Sequence, residues 1–155
     1  MGPYDEACPV NTFIGAGAGN TCSACTAGNY CPVGSGVEVT CPQGYYCPAA
    51  SEYPQKCPKG KYGASTGLAA ESECTPCEAG KVCSQNGLQA PDGECDPGYF
   101  CDTGSSSPIG EICSPGMFCV KGTSAMEPCP AGKYNAFPGM RAGTDCIDCT
   151  AGFYC

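Results

Sequence analysis

The apolar positions of this chain follow its cysteines. In a short motif, C-x-x-G-x-φ-C, one aromatic residue or Val stands directly before the second cysteine. The motif recurs at Cys25–Cys31, Cys41–Cys47, Cys77–Cys83, Cys95–Cys101, Cys113–Cys119 and Cys149–Cys155, with Tyr30, Tyr46, Val82, Phe100, Phe118 and Tyr154 at φ. Its central Gly supplies a positive-φ or close-approach position that lets a short loop reverse. The φ side chain can then cover the sulfurs. Pro after Cys, as at Pro9, Pro32, Pro42, Pro48, Pro58 and Pro130, favours an extended exit and withholds a sheet donor. The pattern predicts short β-hairpins and turns, with helix confined to a stretch near Leu68–Glu73.

A longer pattern is interleaved with the first. Three segments open alike: Cys8-Pro9-Val10-Asn11-Thr12-Phe13, Cys57-Pro58-Lys59-Gly60-Lys61-Tyr62 and Cys129-Pro130-Ala131-Gly132-Lys133-Tyr134. Each runs through a loop rich in Gly, Ala and Ser/Thr to a C-x-x-C, at Cys22/Cys25, Cys74/Cys77 and Cys146/Cys149. The starts lie 49 and then 72 residues apart, because the second unit carries one more short motif. Units that tolerate such an insertion form a string of small modules rather than one globule. They divide the chain into repeat 1 at 1–56, repeat 2 at 57–128 with its extra C-x5-C motif, and the start of repeat 3 at 129–155. Met1–Ala7 resembles the linker Ser124–Pro128, and both ends fall inside the pattern, so the sequence reads as a segment of a longer array.

Composition explains why cysteine must carry the fold. Four Ile, two Leu, six Val and five Phe make 17 of 155 residues, well under the roughly 20% that folding on burial alone requires. The 23 Gly and 15 Pro exclude long helices over most of the length. Without crosslinks such a chain is disordered. Its 18 cysteines exceed the density of about 8–10% that marks disulfide scaffolds, and they place it in an oxidising compartment. The expected fold class is small and disulfide-rich, an elongated tandem array of short β-hairpin and turn modules with little helix.

Connectivity stays open between two schemes. Pairing each cysteine with its neighbour gives Cys8–Cys22, Cys57–Cys74 and Cys129–Cys146 for the long loops. It closes each short motif on itself and uses all 18. The rival crosses neighbouring motifs, Cys25 with Cys41 and Cys31 with Cys47, and leaves the third motif of the middle unit needing its own arrangement.

Charge narrows the partners. A net charge of −8 with seven scattered basic residues offers no stripe for a phosphate backbone or an anionic membrane surface. No apolar run approaches the roughly 20 residues that span a bilayer, and the first residues lack the basic and apolar regions of a signal peptide. The chain has no His, which excludes Ser-His-Asp and Cys-His triads. Gly15-Ala16-Gly17-Ala18-Gly19 is a loop without the strand and helix a nucleotide fingerprint needs. The carboxylates Asp92/Glu94/Asp96 and Asp145/Asp148 sit in loops with no apolar pocket to raise a pKa. C-x-x-C pairs 52 and 72 residues apart do not make a zinc ribbon. No regular calcium loop is present, although Ca²⁺ could loosely bridge acidic surfaces of neighbouring rods. The reading is of no enzyme, no cofactor and no metal.

Sugars are the modification the linkers suit. No N-x-[ST] sequon exists, and Asn20-Thr21-Cys22 and Asn29-Tyr30-Cys31 are weak acceptors. Ser105, Ser106 and Ser107 before Pro108, together with Thr123 and Ser124, lie on linkers that suit O-linked glycans, as do Thr40 and Thr66.

The combination C-P-x-G-x-Y, a Gly-containing loop, C-x-x-C and then C-x-x-G-x-Y-C resembles the ephrin-receptor-like, or GCC2/GCC3-type, cysteine-rich repeat. In style it is similar to the cysteine-rich modules of tumour-necrosis-factor receptors. The resemblance covers nearly the whole chain, with Asn11 where the opening Gly is expected. It implies a secreted or cell-surface location, rod-like architecture, and a role in assembly, adhesion or ligand contact. The leading expectation is a structural component of an extracellular filament, appendage or surface coat. Its partners would be neighbouring copies, met through Tyr53, Leu88, Ile109 and Met140. The alternative is a ligand-binding or adhesive ectodomain of a cell-surface receptor, with a variable surface antigen behind it.

Overall fold

A computed structural model of the chain describes residues 8, 12–14, 22–33 and 36–155. The expectations for Met1–Ala7, Pro9–Asn11, the 15–19 loop and Asn20-Thr21 lie outside these residues.

Each C-x-x-G run reverses the chain within four residues. In the second short motif the Tyr45 N–H donates to the Pro42 carbonyl at 3.2 Å, closing a turn whose third residue, Gly44, has φ 83°. Type II turns demand such a positive φ at that position, and Gly meets it without steric cost. The two residues after the Gly then form a strand, and the two before the next cysteine return against it.

Among the described residues this yields β1 (Thr12–Ile14), β2 (Cys22–Ala24), β3 (Asn29–Tyr30), β4 (Val39–Thr40), β5 (Tyr45–Tyr46), β6 (Gln55–Lys56), β7 (Lys61–Tyr62) and β8 (Thr75–Pro76). There follow β9 (Lys81–Val82), β10 (Gly93–Glu94), β11 (Tyr99–Phe100), β12 (Glu111–Ile112), β13 (Met117–Phe118), β14 (Glu127–Pro128), β15 (Lys133–Tyr134) and β16 (Ile147–Asp148). Consecutive strands pair two by two, β1 with β2 through β15 with β16, and no sheet among the described residues exceeds two strands. Antiparallel registers set Tyr45 opposite Lys56, Lys81 opposite Glu94 and Tyr99 opposite Ile112. The protein is therefore a disulfide-rich tandem array of short hairpins.

Among the described residues helix is confined to two single 3-10 turns, Glu71–Glu73 and Gly143–Asp145. The first falls within the expected stretch near Leu68–Glu73 and is shorter than it. The second occupies the same place in the third long loop. Each is tied by a carboxylate at its last residue. Asp145 Oδ2 accepts the Arg141 and Ala142 N–H groups at 2.8 and 3.0 Å, and Glu73 Oε2 accepts those of Ala69 and Ala70.

The chain divides into two compact units, Met1–Thr75 with Asn86–Ala90, and Pro76–Gln85 with Pro91–Cys155. Within each, hairpins join by a repeating set of backbone bonds. In the first unit the Gly28 N–H donates to the Cys47 carbonyl at 2.8 Å, and the Gly28 carbonyl accepts the Cys41 N–H at 2.9 Å. The Cys41 carbonyl then accepts from Gly67, and the Cys47 N–H donates to Leu68, both at 2.8 Å. One hairpin thus grips the next and the linker beyond it. The second unit repeats the set with Gly98, Cys113, Cys119, Gly139 and Met140, at 2.8 to 2.9 Å.

Hydrocarbon plays almost no part in the interior. Among the described residues the buried apolar ones are fourteen half-cystines and Val82. Val82 contacts Cys95 and Cys101, with Tyr99 packed against them. The φ aromatics Tyr30, Tyr46, Tyr62, Phe100 and Phe118 are only half-buried, and Tyr134 and Tyr154 are exposed.

Candidate functional site

All 18 cysteines are in disulfides, and none is free. Each pairs with its neighbour along the chain. Cys8–Cys22, Cys57–Cys74 and Cys129–Cys146 close the long loops. Cys25–Cys31, Cys41–Cys47, Cys77–Cys83, Cys95–Cys101, Cys113–Cys119 and Cys149–Cys155 close the short motifs. The crossed scheme does not occur. A tight turn brings the Cα atoms of a short motif to 5.8–6.5 Å, the separation a disulfide spans.

The long openings prove to be the same hairpin as the short motifs. Cys57 and Cys129 donate their N–H groups to Gly44 and Gly116, as Cys41 donates to Gly28. What changes is the residue after φ, Gly63 or Asn135, which stands where a short motif has its second cysteine. Cys57 and Cys129 therefore turn to Cys74 and Cys146. At Gly63 a Cβ would lie 2.9 Å from the Gly44 nitrogen and 3.3 Å from the Cys57 sulfur, so no side chain fits. Asn135 is buried at 7% exposure and spends its polarity locally. Its Oδ1 accepts the Gly116 N–H at 2.7 Å, and its Nδ2 donates to the Met117 carbonyl at 2.8 Å. Writing C-P-x-G-x-Y-G and C-P-A-G-K-Y-N beneath C-x-x-G-x-φ-C would have exposed both substitutions.

The linker after Cys47 departs from the others. Where linkers elsewhere use Gly67, Gly87, Gly104, Gly122 or Gly139 at positive φ, this one has Ala50 at φ 61°. Its N–H donates to the Cys25 carbonyl at 2.8 Å, the bond Gly67 makes to Cys41. Ser51 beside it is buried, with Oγ donating to the Pro48 carbonyl at 2.6 Å and its own carbonyl accepting the Cys31 N–H at 2.9 Å. Residues 48–55 line an open depression of about 440 Å³.

Four of the clustered carboxylates, Asp92, Glu94, Asp145 and Asp148, are occupied structurally. The Asp92 carboxylate accepts from the Ser84 hydroxyl and amide. Burial pushes its pKa up, but those hydrogen bonds and one from its own amide prevail, holding it below the ordinary value. Lys81 Nζ meets Glu94 Oε1 at 2.6 Å and lowers that pKa as well, through its hydrogen bond and then its charge. Lys61 with Glu71 and Lys133 with Asp148 are exposed or half-exposed pairs. The one metal-like grouping among the described residues, Cys25, Cys31 and Glu38, has both sulfurs in a disulfide, and Glu38 accepts the Thr26 N–H at 2.6 Å.

The proposed sugar acceptors differ in availability. Ser105 donates its hydroxyl to the Asp102 carbonyl at 2.7 Å, and Thr123 donates to the Ala125 carbonyl at 2.7 Å. Ser107 Oγ accepts the Ile109 N–H at 3.2 Å. Ser106 and Ser124 are exposed. Of the expected contact residues, Tyr53 and Ile109 are 66% and 59% exposed, while Leu88 and Met140 are half-buried. The last two lend carbonyls to the hairpin bonds, to Gly63 and Cys119.

No family model and no curated protein matches the chain. No helix among the described residues is long and apolar enough to cross a membrane.

Proposed function

We propose that the chain is a load-bearing structural component of an extracellular filament, appendage or surface coat, of the ephrin-receptor-like repeat type, and not an enzyme. The observation that supports this most is the coupling of neighbours. Within each compact unit, covalently closed hairpins such as Cys41–Cys47 and Cys95–Cys101 give their backbone groups to a neighbouring hairpin and a linker. Hydrogen bonds of this kind need no particular side chain, so modules can be repeated or inserted while the join is kept. A reducing cytosol would open the disulfides on which this rests. The acidic surface, with 15 Asp and Glu against seven Lys and Arg, keeps modules soluble before assembly.

Negative-stain microscopy of the natural material tests the reading. Regular filaments or a continuous layer, lost on treatment with a reductant, are expected; isolated flexible rods would overturn it. Such rods would favour the second reading, an adhesive or ligand-binding ectodomain. That reading draws on the exposed apolar side chains Ile109 and Phe137, 59% and 66% accessible.

A further inference from the structure

We propose that Met126 is a peroxide-responsive modification site. Oxygen transfer to its sulfur turns a weak hydrogen bond from the Ser114 N–H into a strong one and tightens the hairpin that runs from Cys113 to Cys129. The sign is the reverse of the usual one, since methionine sulfoxide ordinarily disrupts the packing around it. The step needs no second copy of the chain and stands apart from the proposed role in a filament or coat.

Equivalent positions in other hairpins show what this residue does. Met126 lies three residues before Cys129, as Glu38 lies three before Cys41 and Asp92 three before Cys95. Each of these side chains accepts an N–H from the opposite arm of its hairpin. Glu38 Oε1 accepts from Thr26 at 2.6 Å, Asp92 Oδ1 from Ser84 at 2.8 Å, and Met126 Sδ from Ser114 at 3.4 Å. Thr26 and Ser114 are the same residue of the motif. Each follows the first cysteine and opens the turn, its carbonyl accepting the N–H of Asn29 or Met117 at 3.1 Å. One hairpin therefore anchors its turn with a carboxylate oxygen, and the other with a thioether, a weak acceptor. Met126 is half-buried, within reach of a small oxidant. Among the described residues the buried apolar ones are half-cystines and Val82, so a polar oxygen on Met126 disrupts no hydrocarbon core. Met117 and Met140 are also half-buried, but they enter the fold through their carbonyls, which accept from Asn135 and Cys119.

The step balances with one hydrogen peroxide. The Met126 sulfur lone pair attacks one peroxide oxygen, the O–O bond breaks, and a proton passes from the transferred oxygen to the leaving one. Sulfoxide and water are the products; sulfur is oxidised by two electrons and the peroxide reduced by two. The chain has no free thiol to consume the peroxide first. The new oxygen projects an acceptor beyond the sulfur, on a side chain with three rotatable bonds. It can therefore turn to the Ser114 N–H as Glu38 Oε1 turns to Thr26.

The test treats the purified, disulfide-intact chain with hydrogen peroxide. Peptide mapping locates the sulfoxides, and nuclear magnetic resonance follows hydrogen exchange at the Ser114 amide. Conversion of Met126 is expected, with exchange at Ser114 slowed at least fivefold. Met126→Leu should exchange faster than the native chain at Ser114 and should not respond to peroxide. Met126→Gln, which carries an oxygen acceptor at all times, should exchange slowly without it. Unchanged or faster exchange at Ser114 once Met126 is oxidised overturns the proposal. So does a Met126 that stays reduced at a dose converting Met117 or Met140. Slowing that persists in Met126→Leu would trace to another methionine and overturn it too. The microscope decides the structural reading separately, whichever way this experiment falls.

Discussion

The Asn135 side chain grips Gly116 from the place where a short hairpin keeps its second half-cystine, accepting the Gly116 N–H at 2.7 Å and reaching the Met117 carbonyl at 2.8 Å. An amide has both a donor and an acceptor, so it can substitute for a covalent closure at one rung. Replacing Asn135 by Ala removes both side-chain bonds, leaving the half-buried Gly116 N–H only its longer bond to the residue-135 carbonyl at 3.1 Å and depriving the Met117 carbonyl of the amide donor, at about 1 kcal/mol. Denaturant unfolding without reductant should show this loss. Asn135→Asp, which keeps the acceptor and lacks the donor, should lose less at neutral pH. An unchanged midpoint in Asn135→Ala would show the rung to be idle.

Ala50 offers a gain. Its φ of 61° places a Cβ in the left-handed region, at a cost of roughly 1–2 kcal/mol. Ala50→Gly should raise the calorimetric melting temperature, the greater flexibility of Gly in the unfolded chain offsetting part of the benefit. The reverse change at Gly44 should be severe. There a Cβ would run into the Gly87 carbonyl, and φ is 83°. Gly44→Ala is expected to lose more than Ala50→Gly gains.

Removing disulfides should rank by loop length. Replacing Cys57 and Cys74 by Ser opens a loop with a sequence separation of 17, and replacing Cys95 and Cys101 opens one of 6. The chain-entropy relation assigns these about 3 and about 2 kcal/mol. Peptide mapping of the intact protein without reduction should recover every short motif as a self-closed fragment. A fragment linking Cys25 to Cys41 would refute the neighbour pairing.

Acid should loosen the Ser84–Asp92 contact in the second unit. The Asp92 carboxyl titrates below its unfolded value near 3.8, so its contribution is complete above that pH and fades as pH falls through the lower folded value. The group is largely exposed, and solvent screening keeps the effect under about 1 kcal/mol. Asp92→Asn should be slightly less stable than the native chain at about pH 7 and match it near pH 2. Stability curves running parallel across that range would show that the carboxylate contributes nothing.

Much was legible because the controlling constraints are local. Seventeen large apolar residues in 155 could not make a core, so the cysteines had to. Spacing within C-x-x-G-x-φ-C requires a turn at the Gly and places its two sulfurs within reach of each other. Hairpins, near-absence of helix and neighbour pairing as one of two schemes all follow from contacts within about twenty residues.

The tertiary structure decided what lies between hairpins. Leu88 and Met140 stand out in the sequence as apolar side chains on linkers. That their carbonyls belong to the joining bonds is a property of backbone position that no side-chain pattern records. Gly63 and Asn135 stand in a cysteine's place in the motif, but that Gly63 has no room for a side chain and that Asn135 spends its amide on Gly116 and Met117 follow from packing between hairpins. Ala50 carries no sign of its left-handed backbone, because that conformation is imposed by Cys25 and Ser51 rather than by Ala itself. Sequence by itself determined each module, since a turn and a disulfide act over a few residues. Only the fold determined how modules are joined, since those bonds run between backbone groups that every residue type shares.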